Sequence, residues 1–294
     1  MLGYALILLM ILIYTGQTFF CKLYSDRYPG KSDMAPLVFS VVSAACVTLV
    51  TFICAGFSFA PKPLTVLLGL INAAIILSYN TVLIATATRG PFSVVSVFNA
   101  SGGILMPIVV ALAFGNFNHY KWFVIAFILL AVYLVSAKKG KDSTPVQASF
   151  FLLCPLLAAV NGSYGAMLDL QQRLTGEGDK EEMLIITYLG VVIASIIIGF
   201  VKRRGAFIGD FKQSKISLVF MLISSACTAT ASNLLVILLA KGLVDPTTLL
   251  TFKQSGILVC SVLASAIFLK EKISLKNVLG ILLMCACLVT LSFM

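Results

Sequence analysis

Ten runs of about 20 mostly apolar residues fill nearly the whole 294-residue chain. A helix rises about 1.5 Å per residue, so each run is long enough to cross a hydrocarbon core of about 30 Å. Lipid offers no partner to an unpaired backbone amide, and such runs therefore fold as membrane-spanning helices. The runs lie near residues 3–22, 35–56, 64–88, 91–114, 120–137, 147–172, 183–201, 216–239, 247–269 and 274–293. The sequence predicts an all-α integral membrane protein with ten transmembrane helices.

The composition excludes an ordinary soluble domain. Hydrophobic residues make up 60% of the chain, charged residues 11%, and the mean hydropathy is +1.06, whereas about a quarter of the residues in soluble domains are charged. The first run lacks a basic leader and a small-residue cleavage site before a soluble domain, so we expect it to stay in the membrane.

The formal net charge of +10 reflects membrane topology rather than nucleic-acid binding, because the lysines and arginines lie in short loops between apolar runs. The odd-numbered loops carry about three times as many of them as the even-numbered loops. Cytoplasmic loops collect Lys and Arg. This bias predicts cytoplasmic odd-numbered loops and outward-facing termini.

No pattern for a metal, a cofactor or catalysis stands out. The eight cysteines lie within or beside apolar runs without metal-ligand spacing, and His119 is the single histidine. A Ser-His-Asp set, a carboxylate pair at depth and a phosphate-binding glycine loop are all missing from the sequence. We therefore expect no enzyme activity, no metal and no cofactor.

The second half of the chain repeats the first at an offset of 154 residues. Phe98–Gly102 matches Phe252–Gly256, and Phe114 matches Phe268. This match predicts two five-helix repeats, residues 1–141 and 142–294. Because each repeat has an odd number of helices, the second repeat enters the membrane from the side opposite to the first. The fold predicted is two inverted-topology five-helix repeats, which favours alternating access. The matched glycines Gly102 and Gly256, with Gly103, allow either close helix packing or a hinge.

Polar side chains inside the runs are the candidate binding residues, because lipid penalises them unless they face the bundle interior. Tyr14 and Gln17 share a face of the first helix, and Thr18 extends it. The full set of uncharged candidates is Tyr14, Gln17, Asn80, Asn99, Asn161, Tyr164 and Asn233. A ring of amides suits uncharged polar solutes and zwitterions. For each residue, hydrogen bonding between helices is an equal alternative.

Two charged residues add to the candidates. Lys253 lies about two turns into the ninth run with no carboxylate near it in sequence, so an inward-facing Lys253 predicts an anionic or carboxylate-bearing substrate. Snorkelling to the interface is its alternative. Asp169 is the only acidic residue within a predicted run and is a candidate for ion coupling, although an i,i+4 ion pair with Arg173 at the end of the helix is the simpler interpretation.

Three segments resemble the drug/metabolite transporter superfamily, EamA type. The stretch from Tyr14 to Lys22 is similar to that family's first-helix pattern, and Leu157–Tyr164 is its counterpart in the second half. Phe268–Ser274 resembles the family's FLxExLS loop and is the most specific match. The chain departs from the family where Gly115–His119 lacks the loop glutamate and where Tyr14 replaces a tryptophan.

The resemblance implies a ten-helix permease that moves a small polar metabolite, such as an amino acid or nucleoside, across a bacterial plasma membrane (the cell inner membrane), as an exporter. Its expected partners are a small-molecule substrate and the lipid bilayer, without nucleic acid, and its expected state is a monomer or homodimer. Two alternatives are a nucleotide-sugar or organophosphate antiporter and a flippase component for a lipid-linked carrier. Family members usually have cytoplasmic termini, opposite to the charge bias, and both orientations stay open.

Overall fold

The computed structural model describes residues 2–29, 33–113, 126–127, 130–131, 134, 148–175, 179–203, 206–211, 215–240, 246–271 and 274–292. Among them there are ten helices and no strand. The helices are α1 (Leu2–Arg27), α2 (Ala35–Cys54), α3 (Pro63–Ala87), α4 (Phe92–Ala113), α5 (Ala148–Thr175), α6 (Lys180–Arg203), α7 (Phe207–Asp210), α8 (Lys215–Ala240), α9 (Pro246–Phe268) and α10 (Leu275–Ser292).

Six of these helices, α1, α2, α3, α5, α6 and α8, are long and apolar enough to cross a membrane. The chain is therefore a multi-pass membrane protein, and the prediction of an all-α fold is confirmed. Nine of the ten predicted runs coincide with a helix. The fifth run, 120–137, lies mostly outside the described residues.

The helix ends follow local sequence chemistry. Pro36 and Pro63 stand in the first two positions of α2 and α3, where a missing N–H costs no helical hydrogen bond. Helix α6 has Glu181 and Glu182 in its first turn and basic residues in its last, which complements the helix dipole. The Ser274 hydroxyl accepts a hydrogen bond from the Asn277 backbone N–H at 3.3 Å and so caps α10.

The surface is more apolar than parts of the interior. Leu12, Leu152 and Val201 are 61%, 75% and 74% exposed, whereas Asn72 and Thr187 are fully buried. Asn72 Nδ2 donates to Thr187 Oγ1 at 3.3 Å between α3 and α6. This distribution is the one that acyl chains require, with large apolar side chains outside and polar groups inside.

The most extensive helix contacts each join a helix before residue 141 to one after it. Helix α1 packs on α8 and α9, and α5 packs on α3 and α4. Helix α2 lies between α6 and α8, α3 also packs on α6, and α4 contacts α9. The two halves of the sequence are thus interleaved, and the bundle has one shared interior.

Side-chain contacts identify which helix ends share a face of the bundle. We define the basic face as the face of the bundle that holds the connection between Arg27 at the end of α1 and Ala35 at the start of α2. There Lys22 Nζ donates to the carbonyl of Ala87 at the end of α3, and the ring of Phe19 contacts the rings of Phe92 and Phe268. The start of α4 and the end of α9 therefore lie on this face too. The opposite face holds the α2–α3 and α5–α6 connections.

The connection between α6 and α8 contains the short helix α7. The Arg203 guanidinium donates two parallel hydrogen bonds of 3.0 Å to the Asp210 carboxylate, and the Tyr28 hydroxyl donates to the Asp210 backbone carbonyl at 3.3 Å. Burial beside Asp210 raises the pKa of Tyr28 to about 12, so this hydroxyl stays protonated and able to donate. Phe207 is buried, with its ring where a side chain at Gly199 would lie.

Gly102 permits the closest helix crossing near the centre of the bundle. A Cβ at this position would lie 2.0 Å from the backbone oxygen of Ala158, so α4 and α5 touch backbone to backbone. The matched Gly256 in α9 leaves space for Ile11 of α1, whose Cδ1 would be 2.4 Å from such a Cβ. Both glycines provide the close packing that their positions predict.

We expect Gly102→Ala to destabilise the protein by about 1–3 kcal/mol, because a backbone oxygen cannot move aside as a flexible side chain can. Gly165→Ala in α5 is the matched control, since a Cβ there meets nothing within 4 Å. Thermal unfolding of the two purified variants, followed by size-exclusion chromatography, measures the difference. Equal midpoints would contradict the backbone contact.

Candidate functional site

One cavity lies in the centre of the bundle, where eight helices converge. Its volume is about 70 Å³, well below the roughly 300–1,000 Å³ of typical ligand pockets. It is lined by Tyr14, Gln17, Thr18, Ser43, Ile76, Tyr79, Asn80, Asn99, Asn161, Tyr164, Tyr188, Thr228, Ser232, Lys253, Gln254 and Ile257. Most of the lining residues thus carry a polar group, and the pocket is constricted in this conformation.

Seven of the eight predicted binding residues line this cavity: Tyr14, Gln17, Asn80, Asn99, Asn161, Tyr164 and Lys253. Asn233 is not among the lining residues. Its amide donates to the carbonyl of Ala229 in its own helix at 2.9 Å, and the neighbouring Ser232 faces the cavity instead. The side chain of Asp169 lies outside the described ones, so its role in coupling stays a prediction.

Lys253 enters the cavity from α9 and is 8% exposed. Its Nζ lies 5.0 Å from the centre of the Tyr14 ring on α1, which places the ammonium over an electron-rich face. Among the described residues, no carboxylate forms an ion pair with it. The lysine points inward, and the described groups around its ammonium are an aromatic ring and polar side chains.

Four tyrosines from four helices surround the same space. The hydroxyls of Tyr14 and Tyr188 both lie close to Ser232 of α8, and the Tyr188 hydroxyl also lies close to that of Tyr164. The Tyr79 hydroxyl lies close to the side chain of Asn99. Each of the four phenols thus has a polar side chain beside it, and the four rings border one shared space.

The lining asparagines make hydrogen bonds between helices, and one of them also has an unpaired side-chain acceptor. Asn161 Nδ2 donates to the Asn99 carbonyl at 2.6 Å, joining α5 to α4, and Asn80 Nδ2 donates to Ser40 Oγ at 3.0 Å, joining α3 to α2. The side-chain oxygen of Asn99 is buried and accepts no hydrogen bond from the described residues. A buried acceptor in this state is costly unless a water or a solute donates to it.

The lining groups define what the pocket can bind. Lys253 is the single charged side chain among the described lining residues, and the others supply hydroxyl, amide and aromatic groups. Such a set binds the anionic end of a small polar molecule at Lys253 and its neutral or donor groups at the amides and phenols. A solute bearing only positive charge would meet repulsion from Lys253.

Several lining residues escape sequence reasoning. Ser43, Thr228 and Ser232 are small polar residues of a kind that often bonds back into its own helix, as Thr228 does to Ser224 at 2.9 Å. Tyr79 and Gln254 sit beside the predicted Asn80 and Lys253 in the sequence. Tyr188 carries a readable signal, because it lies eight residues into α6, too deep for the aromatic belt at a membrane interface.

A scan against protein-family models and a search of curated proteins found no match to this chain.

Proposed function

We propose that this protein is a secondary transporter that moves a small polar metabolite, such as an amino acid, a nucleoside or a related organic solute, across a bacterial plasma membrane. We propose export by alternating access, in keeping with the resemblance to EamA-type drug/metabolite permeases.

The observation that carries the proposal is a polar cavity at the centre of apolar helices. Tyr14, Asn99, Tyr188 and Lys253 come from four different helices and turn toward one space. Polar groups at this depth are costly in a membrane and are found where a solute passes or binds. Interhelical hydrogen bonding alone does not account for Lys253, which has no anionic partner among the described residues.

We further propose that ten helices cross the membrane as two inverted repeats. The packing partners support this, because α1 packs on α8 and α9 just as α5 packs on α3 and α4. Gly102 and Gly256, which correspond at the repeat offset, each mark a close crossing in these pairs. Two structurally related halves around a central site are the usual architecture of alternating access.

The single lysine favours a substrate with one carboxylate or a similar anionic group. A nucleotide-sugar or organophosphate antiporter is the alternative that Lys253 also favours, although a phosphate ester would gain from more than one cation. Coupling to an ion through Lys253 or Asp169 belongs to the same proposal.

Uptake into proteoliposomes tests the function, with a panel of amino acids, nucleosides, amines and sugar phosphates, each with and without a pH gradient. We expect carboxylate-bearing solutes to be transported and Lys253→Gln to reduce that transport at least tenfold, because a charge-assisted hydrogen bond is lost in a buried site. Tyr14→Phe keeps the ring under the lysine and should retain more activity than Tyr14→Leu.

Asn233→Ala is the control for this experiment, since Asn233 is a buried amide of the same bundle that does not line the cavity. It should leave substrate selectivity unchanged. Unaltered transport and selectivity in Lys253→Gln would remove the role assigned to the lysine, and no transport of any panel member would argue against the carrier function.

We also expect Lys253→Met to raise the thermal stability while it abolishes transport. Burying an ammonium without an anion costs free energy, and a thioether of similar length avoids that cost, for a gain of roughly 1–3 kcal/mol. Lys276→Met, at an exposed position, should change the unfolding midpoint little. A destabilised Lys253→Met would mean that the lysine holds the bundle together.

A further inference from the structure

Glu271 joins the end of α9 to the start of α4 on the basic face. Its Oε1 accepts a hydrogen bond from the Phe92 backbone N–H at 2.7 Å. Its Oε2 accepts from the backbone N–H and the hydroxyl of Ser93 at 3.1 and 2.7 Å. A carboxylate at a helix N-terminus is stabilised by free N–H groups and by the helix dipole. Here that carboxylate comes from a segment 178–179 residues away in the chain.

Asp179 makes the corresponding contact on the opposite face. Its Oδ2 accepts from the Lys62 backbone N–H at 3.3 Å and from the Thr65 hydroxyl at 3.1 Å. It thereby ties the α5–α6 connection to the first turn of α3. Each face of the bundle thus carries one acidic side chain that fastens a connecting segment to the N-terminus of a distant helix.

The local backbone holds both carboxylates in place. Asp179 itself has φ 63°, and Lys270, immediately before Glu271, has φ 54°. Both lie in the left-handed region that L residues adopt rarely and that persists only where the surroundings fix it. Glu271 is also anchored by its own backbone, whose N–H donates to the Ser265 carbonyl at 3.2 Å.

The two contacts stand on either side of the cavity, on helices that line it. Asn99 lies seven residues along α4 from Phe92, about 10 Å away. Ile76 lies eleven residues along α3 from Thr65, about 16 Å away. Separating the start of α4 from the end of α9 requires the Glu271 contacts to break, and separating the start of α3 from the α5–α6 connection requires those of Asp179 to break. Both sets are formed here, around a constricted cavity of about 70 Å³.

We propose that Glu271 and Asp179 are two latches, one on each membrane face, and that both are closed in this structure. The inference rests on the proposed transport function, since it gives alternating access its two barriers. Opening toward the basic face breaks the Glu271 latch while the Asp179 latch holds, and opening toward the opposite face does the reverse. Removing one latch therefore shifts the population toward a single face.

Sided labelling tests the proposal. Ile76→Cys introduces a thiol at an apolar position of the cavity lining, and a membrane-impermeant, negatively charged methanethiosulfonate is added to sealed vesicles of either orientation. Mass spectrometry of the peptide containing position 76 separates this thiol from the eight native cysteines. We expect Glu271→Ala to raise its labelling rate about tenfold from the basic face only, and Asp179→Ala to raise it by a similar factor from the opposite face only.

Two milder variants and two controls complete the experiment. Ser93→Ala and Thr65→Ala remove one hydrogen bond each and should give smaller increases from the same faces, which keeps the test usable where an alanine at 271 or 179 prevents folding. Asp33→Ala on the basic face and Glu181→Ala on the opposite face remove a carboxylate outside the latches and should leave labelling unchanged.

The outcomes separate the two proposals. Equal increases from both faces, or none, in a protein that still transports would overturn the latches alone. Face-specific increases in a protein that transports no panel member would support the latches and count against the transport function.

Discussion

Hydrocarbon solvates neither an unpaired amide nor a charge, and the organisation of this protein follows from that constraint. Hydroxyls inside the bundle bond back to their own helix, as Thr51 does to Val47 at 2.8 Å, or across an interface, as Ser224 does to the Gln17 carbonyl at 2.8 Å. Among the described residues, a few buried polar atoms escape this pairing, and one of them, the side-chain oxygen of Asn99, belongs to a residue that lines the central cavity. The unpaired oxygen of Asn99 and the buried ammonium of Lys253 are the two features on which the proposed binding role of the cavity rests.

Secondary structure was the most predictable level of this molecule. The apolar runs anticipate nine helices to within a few residues at most ends, because each run must satisfy its own backbone in lipid. The four-residue helix α7 was not anticipated, since nothing in so short and polar a stretch has a period. It depends on the tertiary contacts of Phe207 and Asp210.

The cavity was predictable where a side chain is too polar for lipid and too large to bond back into its own helix. Tyr14, Gln17 and the lining asparagines meet both conditions. Asn233 shows the limit of the rule, because its amide does reach a carbonyl one turn back. Serines and threonines also bond readily to their own helix, so the sequence does not show which of them line the cavity. It shows still less about Glu271 and Asp179. Glu271 and Asp179 lie in connecting segments, and only the folded chain reveals that each meets a helix N-terminus more than one hundred residues away.

The α6–α8 connection has a consequence of its own. The paired hydrogen bonds between Arg203 and Asp210, the buried ring of Phe207 and the Tyr28 hydroxyl fasten residues 207–210 to the end of α6 and to the residue just beyond α1. Helix α6 in turn packs on α2 and α3. An epitope or reporter domain inserted there would break these contacts and displace α6 from the helices on which it packs.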